Sequence, residues 1–163
     1  LRLLMTKITL SITEAIHASM IGTTRRIAAS HKKFKQKHEL KKADMHMQIA
    51  RDVQGAWGEA AFAKYIDHVW PEEERGIHNG DVGLFEIRTC TKNNQNLILH
   101  KEDFDDRNYV LISSEDFPTM HILGFIKGKD GKNQGYWKDN MPTPCYLVPQ
   151  KDLLELELMV GKI

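Results

Sequence analysis

The sequence predicts a mixed α/β (α+β) protein: a central mixed, largely antiparallel sheet flanked by helices, with an N-terminal helical region. Three observations predict it. Helical spacing runs through the first 66 residues, several short β-type runs separated by turn residues fill the remainder, and 163 residues suffice for one core without staples. Apolar residues make up 41% and charged residues 28%, as in ordinary soluble proteins. Residues 1–43 read as a basic helical region and 44–163 as the α/β core of a single compact unit.

In chain order, Ser11 or Thr13 supplies a helix N-cap followed by Glu14, and Ile12, Ile16, Met20 and Ile27 then recur near helical spacing. A helix over about 13–38 follows, weakened at Gly22-Thr23-Thr24, where a kink or break is expected. His31 to Lys42 reads HKKFKQKHELKK, with six lysines and one acid. Lys32, Lys33, Lys35, Lys37, Lys41 and Lys42 could neutralise several phosphates of a nucleic acid, or form a solvated connection.

Asp44 to Ile66 carries the strongest helical signal, with Ile49, Val53, Ala56, Trp57, Ala60, Ala61 and Tyr65 at spacings of three and four. Gly55, Ala56, Gly58, Ala60 and Ala61 leave a surface small enough for close approach by a sheet or another helix. Glu59 on this helix is either solvated or directed at the carboxylates further on.

Trp70-Pro71 stops the helix and Glu72-Glu73-Glu74 reads as a solvated loop. Strands are expected at Leu84–Cys90, Asn96–His100, Asn108–Ser113 and Met120–Lys127, with turns at Lys92–Asn96 and Gly128–Asn133. Tyr109 to Ile112 is apolar enough for burial on both faces. Met120 to Lys127 reads as a strand entering a hairpin. Cys145 to Val148 is a further strand, and Pro149 to Asp152 opens a short final helix through Leu156.

The chemistry centres on Asn79 to Thr89. On a period-two strand Glu86 and Arg88 share one face while Phe85, Ile87 and Thr89 take the other. Asp81 arrives through the Gly80 and Gly83 turns. Two carboxylates converging at a sheet edge suit a hard divalent cation, Mg²⁺ or Mn²⁺, and a neighbouring guanidinium suits a phosphate. The plainer reading of Glu86 and Arg88 is a surface ion pair. His100 to Arg107 reads as a solvated acidic turn, with His100 or Lys101 at the strand end able to reach the metal edge.

The charge distribution is uneven. Residues 1–60 hold eleven Lys/Arg against five Asp/Glu, and residues 61–163 hold twelve against seventeen. That asymmetry suits a protein gripping a polyanion with one region and holding metal with another.

Several classes find no signal. No CxxC, HExxH, HxxxH, GxxxxGK[ST] or GxSxG occurs, which argues against zinc sites, P-loops and serine-hydrolase elbows. Cys90 and Cys145 read as small buried hydrophobes in a reducing compartment. No run approaches the roughly 20 apolar residues of a membrane span, so a cytoplasmic location is expected. An opening Leu1 suggests Met5 as the natural start.

Glu59 on a helix, then Asp81, then Glu86-Ile87-Arg88, resembles the PD-(D/E)XK nuclease superfamily, in which a helical acid precedes an Asp and a Glu-x-Lys strand. The match covers roughly Val53 to Ser113. The wider pattern, with YVLIS, HILGFIKGKD and CYLVPQKDL, looks like small phage and metagenomic proteins of that superfamily. The resemblance implies a restriction-endonuclease-like core and metal-dependent hydrolysis of DNA in the cytoplasm, that of the host for a phage protein. It makes Asp81 and Glu86 the Mg²⁺ or Mn²⁺ ligands, puts Arg88 where the catalytic lysine usually stands, and makes Glu59 the auxiliary acid. The lysines named above, with Lys101, would contact the nucleic acid. Arginine cannot serve as a proton carrier, so the alternative implied is an inactive nucleic-acid-binding or phage assembly module retaining the nuclease fold. Homo-oligomerisation is compatible with either.

Overall fold

The computed structural model describes residues 5–34, 44–71 and 80–159. The elements run β1 (Thr6–Thr9), α1 (Ile12–Phe34), α2 (Met45–Tyr65), β2 (Phe85–Cys90), β3 (Leu97–Leu99), β4 (Asn108–Asp116), β5 (Thr119–Lys127), β6 (Trp137–Lys138) and β7 (Cys145–Val148). The class is mixed α/β, as expected. Two sheets form where one was foreseen: a four-stranded sheet ordered β1-β5-β4-β2 and a three-stranded sheet ordered β3-β7-β6.

Ser11 starts α1 through a reciprocal capping box. Its hydroxyl accepts from the Glu14 amide at 3.2 Å and its own amide donates to Glu14 at 2.7 Å. The helix then runs unbroken through Gly22-Thr23-Thr24, where a kink was expected. Gly22 serves packing instead, since a Cβ there would lie 2.6 Å from the Asp52 carbonyl oxygen and the Val53 Cα. Asp44 caps α2 by accepting from the His46 amide at 3.0 Å. Three ion pairs join the helices among the described residues, Arg25 to Glu59 and Arg26 to Asp52, each at 2.9 Å, and Glu14 to Lys64 at 2.8 Å.

The apolar residues that gave α1 its periodicity do not face the core. Ile12, Ile16, Met20 and Ile27 are all exposed, while Ala18 and Gly22 are buried against α2.

Within the larger sheet β1 and β5, and β4 and β5, are antiparallel, but β2 and β4 run parallel. Parallel pairing brings the starts of β2 and β4 to the same end, with Glu86 opposite Tyr109 and Arg88 opposite Leu111. Strand β4 is buried from Tyr109 to Ser113, in line with its apolar run. Strand β1 does not stand out in the sequence because TKIT is short and adjoins a strong helix start.

The sheet separates two cores. Ile87, Val110, Ile112, Met120 and Ile122 pack with Phe62 and Ala61 of α2 on the helix side. Tyr109, Leu111 and Leu123 pack with Leu97, Leu99, Tyr146 and Val148 on the other. The helices therefore cover one face only, and the second sheet covers the face where a helix was anticipated. Leu97 and Leu99 are fully buried, and each such side chain contributes about 2 kcal/mol of hydrophobic stabilisation. Burial of this kind sustains a three-residue strand that would be unstable alone.

Strand β5 closes a hairpin with β4, Asp116 lying opposite Thr119, and does not enter a further one at its end. It passes into a single helical turn, Gly128–Gly131, and from there to the second sheet. Beyond the stretch paired to β1, Phe125 exchanges both backbone hydrogen bonds with Leu154, at 3.0 and 2.8 Å. Gly124 permits that approach with φ +141, and a Cβ there would stand 2.8 Å from the Leu153 side chain. The final segment forms 3₁₀ turns at Gln150–Asp152 and Leu156–Leu158 in place of one helix.

Candidate functional site

Strand β2 is an edge of the larger sheet, bonded to β4 on one side. Its other side is where Asp81 sits. The Gly80 amide donates to the Gly83 carbonyl at 2.8 Å, and Val82 and Phe85 exchange hydrogen bonds at 3.1 and 3.0 Å, which folds 80–85 into a tight reversal. Gly83 takes φ +58 there, a conformation suited to glycine. The reversal turns Asp81 back onto β2, where its Oδ2 accepts from the Ile87 amide at 2.8 Å.

Glu86 and Arg88 project from β2 toward the second sheet, because their register partners Tyr109 and Leu111 belong to that core. Glu86 is paired with Arg107, the Nη1 of which donates to its Oε1. Both side chains are largely buried, Glu86 at 13% and Arg107 at 14% exposure. Arg88 donates from Nη2 to Asp103 Oδ1 at 2.9 Å, and its guanidinium lies 5.2 Å from the Tyr109 ring centroid. Asp103 is fixed in turn by the His100 amide, which donates to its other oxygen at 2.8 Å. Arg107 also stacks over Phe104 at 4.0 Å.

Burial pushes the Glu86 carboxyl above the ordinary glutamate range, and the charge of Asp81 pushes it further; the hydrogen bond and charge of Arg107, and the charge of Arg88, pull it back only in part. The charge of Asp81, anchored on the same strand, is thus felt at Glu86. A pair of hard oxygen donors of like charge fits a divalent cation, which relieves that repulsion and takes water as its remaining ligands. Among the described residues no group of three or more His, Cys, Asp or Glu stands together as a metal cage.

Glu59 occupies a different layer. It is buried at 8% exposure on α2, accepts twice from Arg25, at 3.0 and 2.9 Å, and accepts from the Trp70 indole at 3.0 Å. Helix α2 lies on the Ile87 and Thr89 side of β2, with Gly58 against the Thr89 side chain. Glu59 and Glu86 therefore extend from opposite sides of that strand.

Lys101 places its amine 4.5 Å from the Trp137 ring centroid, on the second sheet. Lys92 pairs with Glu115 at 3.6 Å. Lys32 and Lys33 fall in the last turn of α1, their side chains outside the described part, and Lys35, Lys37, Lys41 and Lys42 lie outside the described residues.

Asp103 and Arg107 are the site residues that the sequence reading passed over as a solvated turn. The signal that could have found them is positional. With β2 and β4 parallel, the loop entering β4 must lie beside the start of β2, so Arg107 falls next to Glu86.

A cleft of about 280 Å³ lies elsewhere, lined by Glu14, His17, Lys64, Asp67, His68 and Trp70 at the helix layer. Glu14 and Lys64 neutralise each other there at 2.8 Å. It presents no convergent donor set.

No family model, no curated protein and no solved structure matches this chain.

Proposed function

We propose that this chain is a metal-dependent DNA nuclease of PD-(D/E)XK type, in which Asp81 and Glu86 hold Mg²⁺ or Mn²⁺. The observation that supports the reading is the placement of two carboxylates at one strand: Asp81 anchored to the Ile87 amide at the open edge of β2, and Glu86 largely buried on the same strand beside Arg107. Two repelling carboxylates cost stability, and such a cost is characteristic of sites kept for chemistry. A parallel strand pair with a helix behind it is also compatible with a restriction-endonuclease-like core.

When bound, a divalent cation supplies Lewis acidity toward water and toward a phosphate oxygen. Asp81 and Glu86 orient it from the rigid end of β2. Arg88 and Arg107 present two guanidiniums beside the carboxylates, suited to bidentate contact with a phosphate and to its growing charge. Neither can carry a proton, so the chain's own contribution is placement and charge. Glu59 acts at one remove in this reading, joining α1 to α2. Lys32, Lys33, Lys35, Lys37, Lys41, Lys42 and Lys101 supply sequence-independent affinity for the DNA backbone. The cytoplasm, that of the host for a phage protein, is where such a substrate is met.

Cleavage of plasmid, linear, branched and single-stranded DNA in Mg²⁺ and in Mn²⁺ tests the reading. Wild type is expected to cut at least one of them, and Asp81→Asn and Glu86→Gln to lose at least about 100-fold of the rate, as on removal of a principal charge-stabilising group. Activity surviving both substitutions would sink the assignment.

One observation favours a second reading, a non-catalytic nucleic-acid-binding or phage assembly module. Arg107 already neutralises Glu86, and Asp103 already takes Arg88. Salt-sensitive DNA binding without cleavage in either metal is the result that would favour it.

A further inference from the structure

Helix α1 is polarised in reverse. Its charged side chains among the described ones, Glu14, Arg25 and Arg26, are all consumed in ion pairs with α2, to Lys64, Glu59 and Asp52. Its outward face carries Ile12, Ile16, Met20 and Ile27 at 81%, 56%, 63% and 46% exposure, with Thr23 and Thr24 between them. From Ile12 to Ile27 this face bears no formal charge. A solvent-facing helix ordinarily shows the opposite arrangement, with charge outward and aliphatics inward.

We infer that this face binds a second copy of the chain, two α1 helices packing antiparallel about a two-fold axis near Met20. The stripe is self-complementary in that arrangement. With the axis between Ser19 and Met20, Ile12 lies opposite Ile27 of the partner subunit and Ile16 opposite Thr23 of the partner subunit, while the two Met20 side chains meet at the axis. An isologous contact puts the same surface on both sides, so an uncharged stripe brings no like charges together. The stripe is about 22 Å long, from about fifteen steps of 1.5 Å rise. Its four large side chains expose on the order of 500 Å², at the upper end of apolar patches on monomers and more than half of what each partner gives to a standard interface. Met45 at the start of α2 extends it, lying against Ser30 with its sulfur 3.7 Å from the hydroxyl, and Met45 and Met47 are themselves exposed.

Sedimentation equilibrium of the full chain across micromolar concentrations reads the association directly. Wild type is expected to be dimeric, and Met20→Glu to weaken association by at least about 100-fold. Its thermal melt at a concentration where both are monomeric should be little changed, since Met20 is 63% exposed. Met20→Cys, under mild oxidation, should give a disulfide-linked dimer that wild type, with Cys90 and Cys145, does not. A wild type that stays monomeric, a dimer that survives Met20→Glu, or a dimer that Met20→Cys fails to link would each overturn the inference. Sedimentation of a monomeric wild type with anionic vesicles would assign the stripe to a lipid surface instead and overturn it equally.

Discussion

Arg107, from the loop that enters β4, pairs with Glu86 of β2, and this contact ties together the two strands that run parallel in the central sheet. It also opposes Asp81, whose charge pushes the Glu86 proton affinity up while Arg107 pulls it down. Arg107 therefore offsets part of what burial and Asp81 impose on Glu86.

Replacing Arg107 by Ala leaves Glu86 buried beside Asp81 without its principal cation. The expected loss is about 2–4 kcal/mol, somewhat below the figure for a fully buried pair because both groups keep a little solvent contact. Glu86→Gln in the Arg107→Ala background should restore part of the loss, since the uncompensated charge is then gone. Urea unfolding of the four proteins of the cycle measures the coupling. A double variant as unstable as the sum of the singles would show that Arg107 acts through packing on Phe104 alone.

Asp81→Asn should shift stability with pH in a defined direction. The folded Glu86 binds its proton more tightly than the unfolded one, so the stability it contributes is complete below the unfolded value and is lost as pH rises through the folded value. Removing the Asp81 charge lowers the folded value and shrinks that loss. Asparagine retains an oxygen to accept the Ile87 amide. Urea midpoints of Asp81→Asn relative to wild type should therefore improve as pH rises from about 4 toward neutrality, and a gap that narrows over that range would contradict the Asp81–Glu86 repulsion.

Tyr109 gives an alkaline counterpart. Burial first, and then the charge of Asp103, push its phenol up to about 12 from the ordinary value of 10.0. Its stabilising share is complete below the unfolded value and disappears as pH climbs through the folded one, a window between 10.0 and about 12. Tyr109→Phe should lack that component of the alkaline loss. At neutral pH it should cost about 1–2 kcal/mol, because the Phe104 amide, which donates to the phenolic oxygen at 2.8 Å, is left without its acceptor. Melting curves of both proteins at neutral and alkaline pH test both statements.

Two glycines of α2 should respond oppositely to alanine. At Gly55 a Cβ meets nothing within 4 Å, so Gly55→Ala should stabilise by about 0.5–1 kcal/mol through helix propensity. At Gly58 a Cβ would fall 2.0 Å from Thr89 Oγ1, so Gly58→Ala should destabilise by about 1–3 kcal/mol as α2 is forced off the sheet. Thermal melts that move in the same direction for both would refute the proposed packing of α2 on β2.

Both long helices and the strands at 85–90, 97–99, 108–116, 119–127 and 145–148 were legible in the sequence, because capping residues, small-residue spacing and β-branched runs act locally. Partner choice was not. Nothing local distinguishes a β2 that pairs parallel with β4 from one in a meander, and that single relationship decides where Arg107 and Asp103 fall. The outward direction of the α1 stripe was not legible for a similar reason: helical periodicity marks an apolar face without saying what covers it. The glycine turns around Asp81 were legible, but not that they fold it back onto β2, where the Ile87 amide supplies its anchor. Glu59 was foreseen as a helical acid near the site, yet Arg25 and Trp70, distant in sequence, decide its environment.

The central claim is that Asp81 and Glu86 hold a divalent cation. Titration of the chain with Mn²⁺, followed by loss of the free-ion paramagnetic resonance signal, tests it most directly. One ion should bind per chain, with binding abolished in Glu86→Gln and strongly weakened in Asp81→Asn. A wild type that leaves the free-ion signal undiminished, or a Glu86→Gln variant that binds as wild type does, would contradict it.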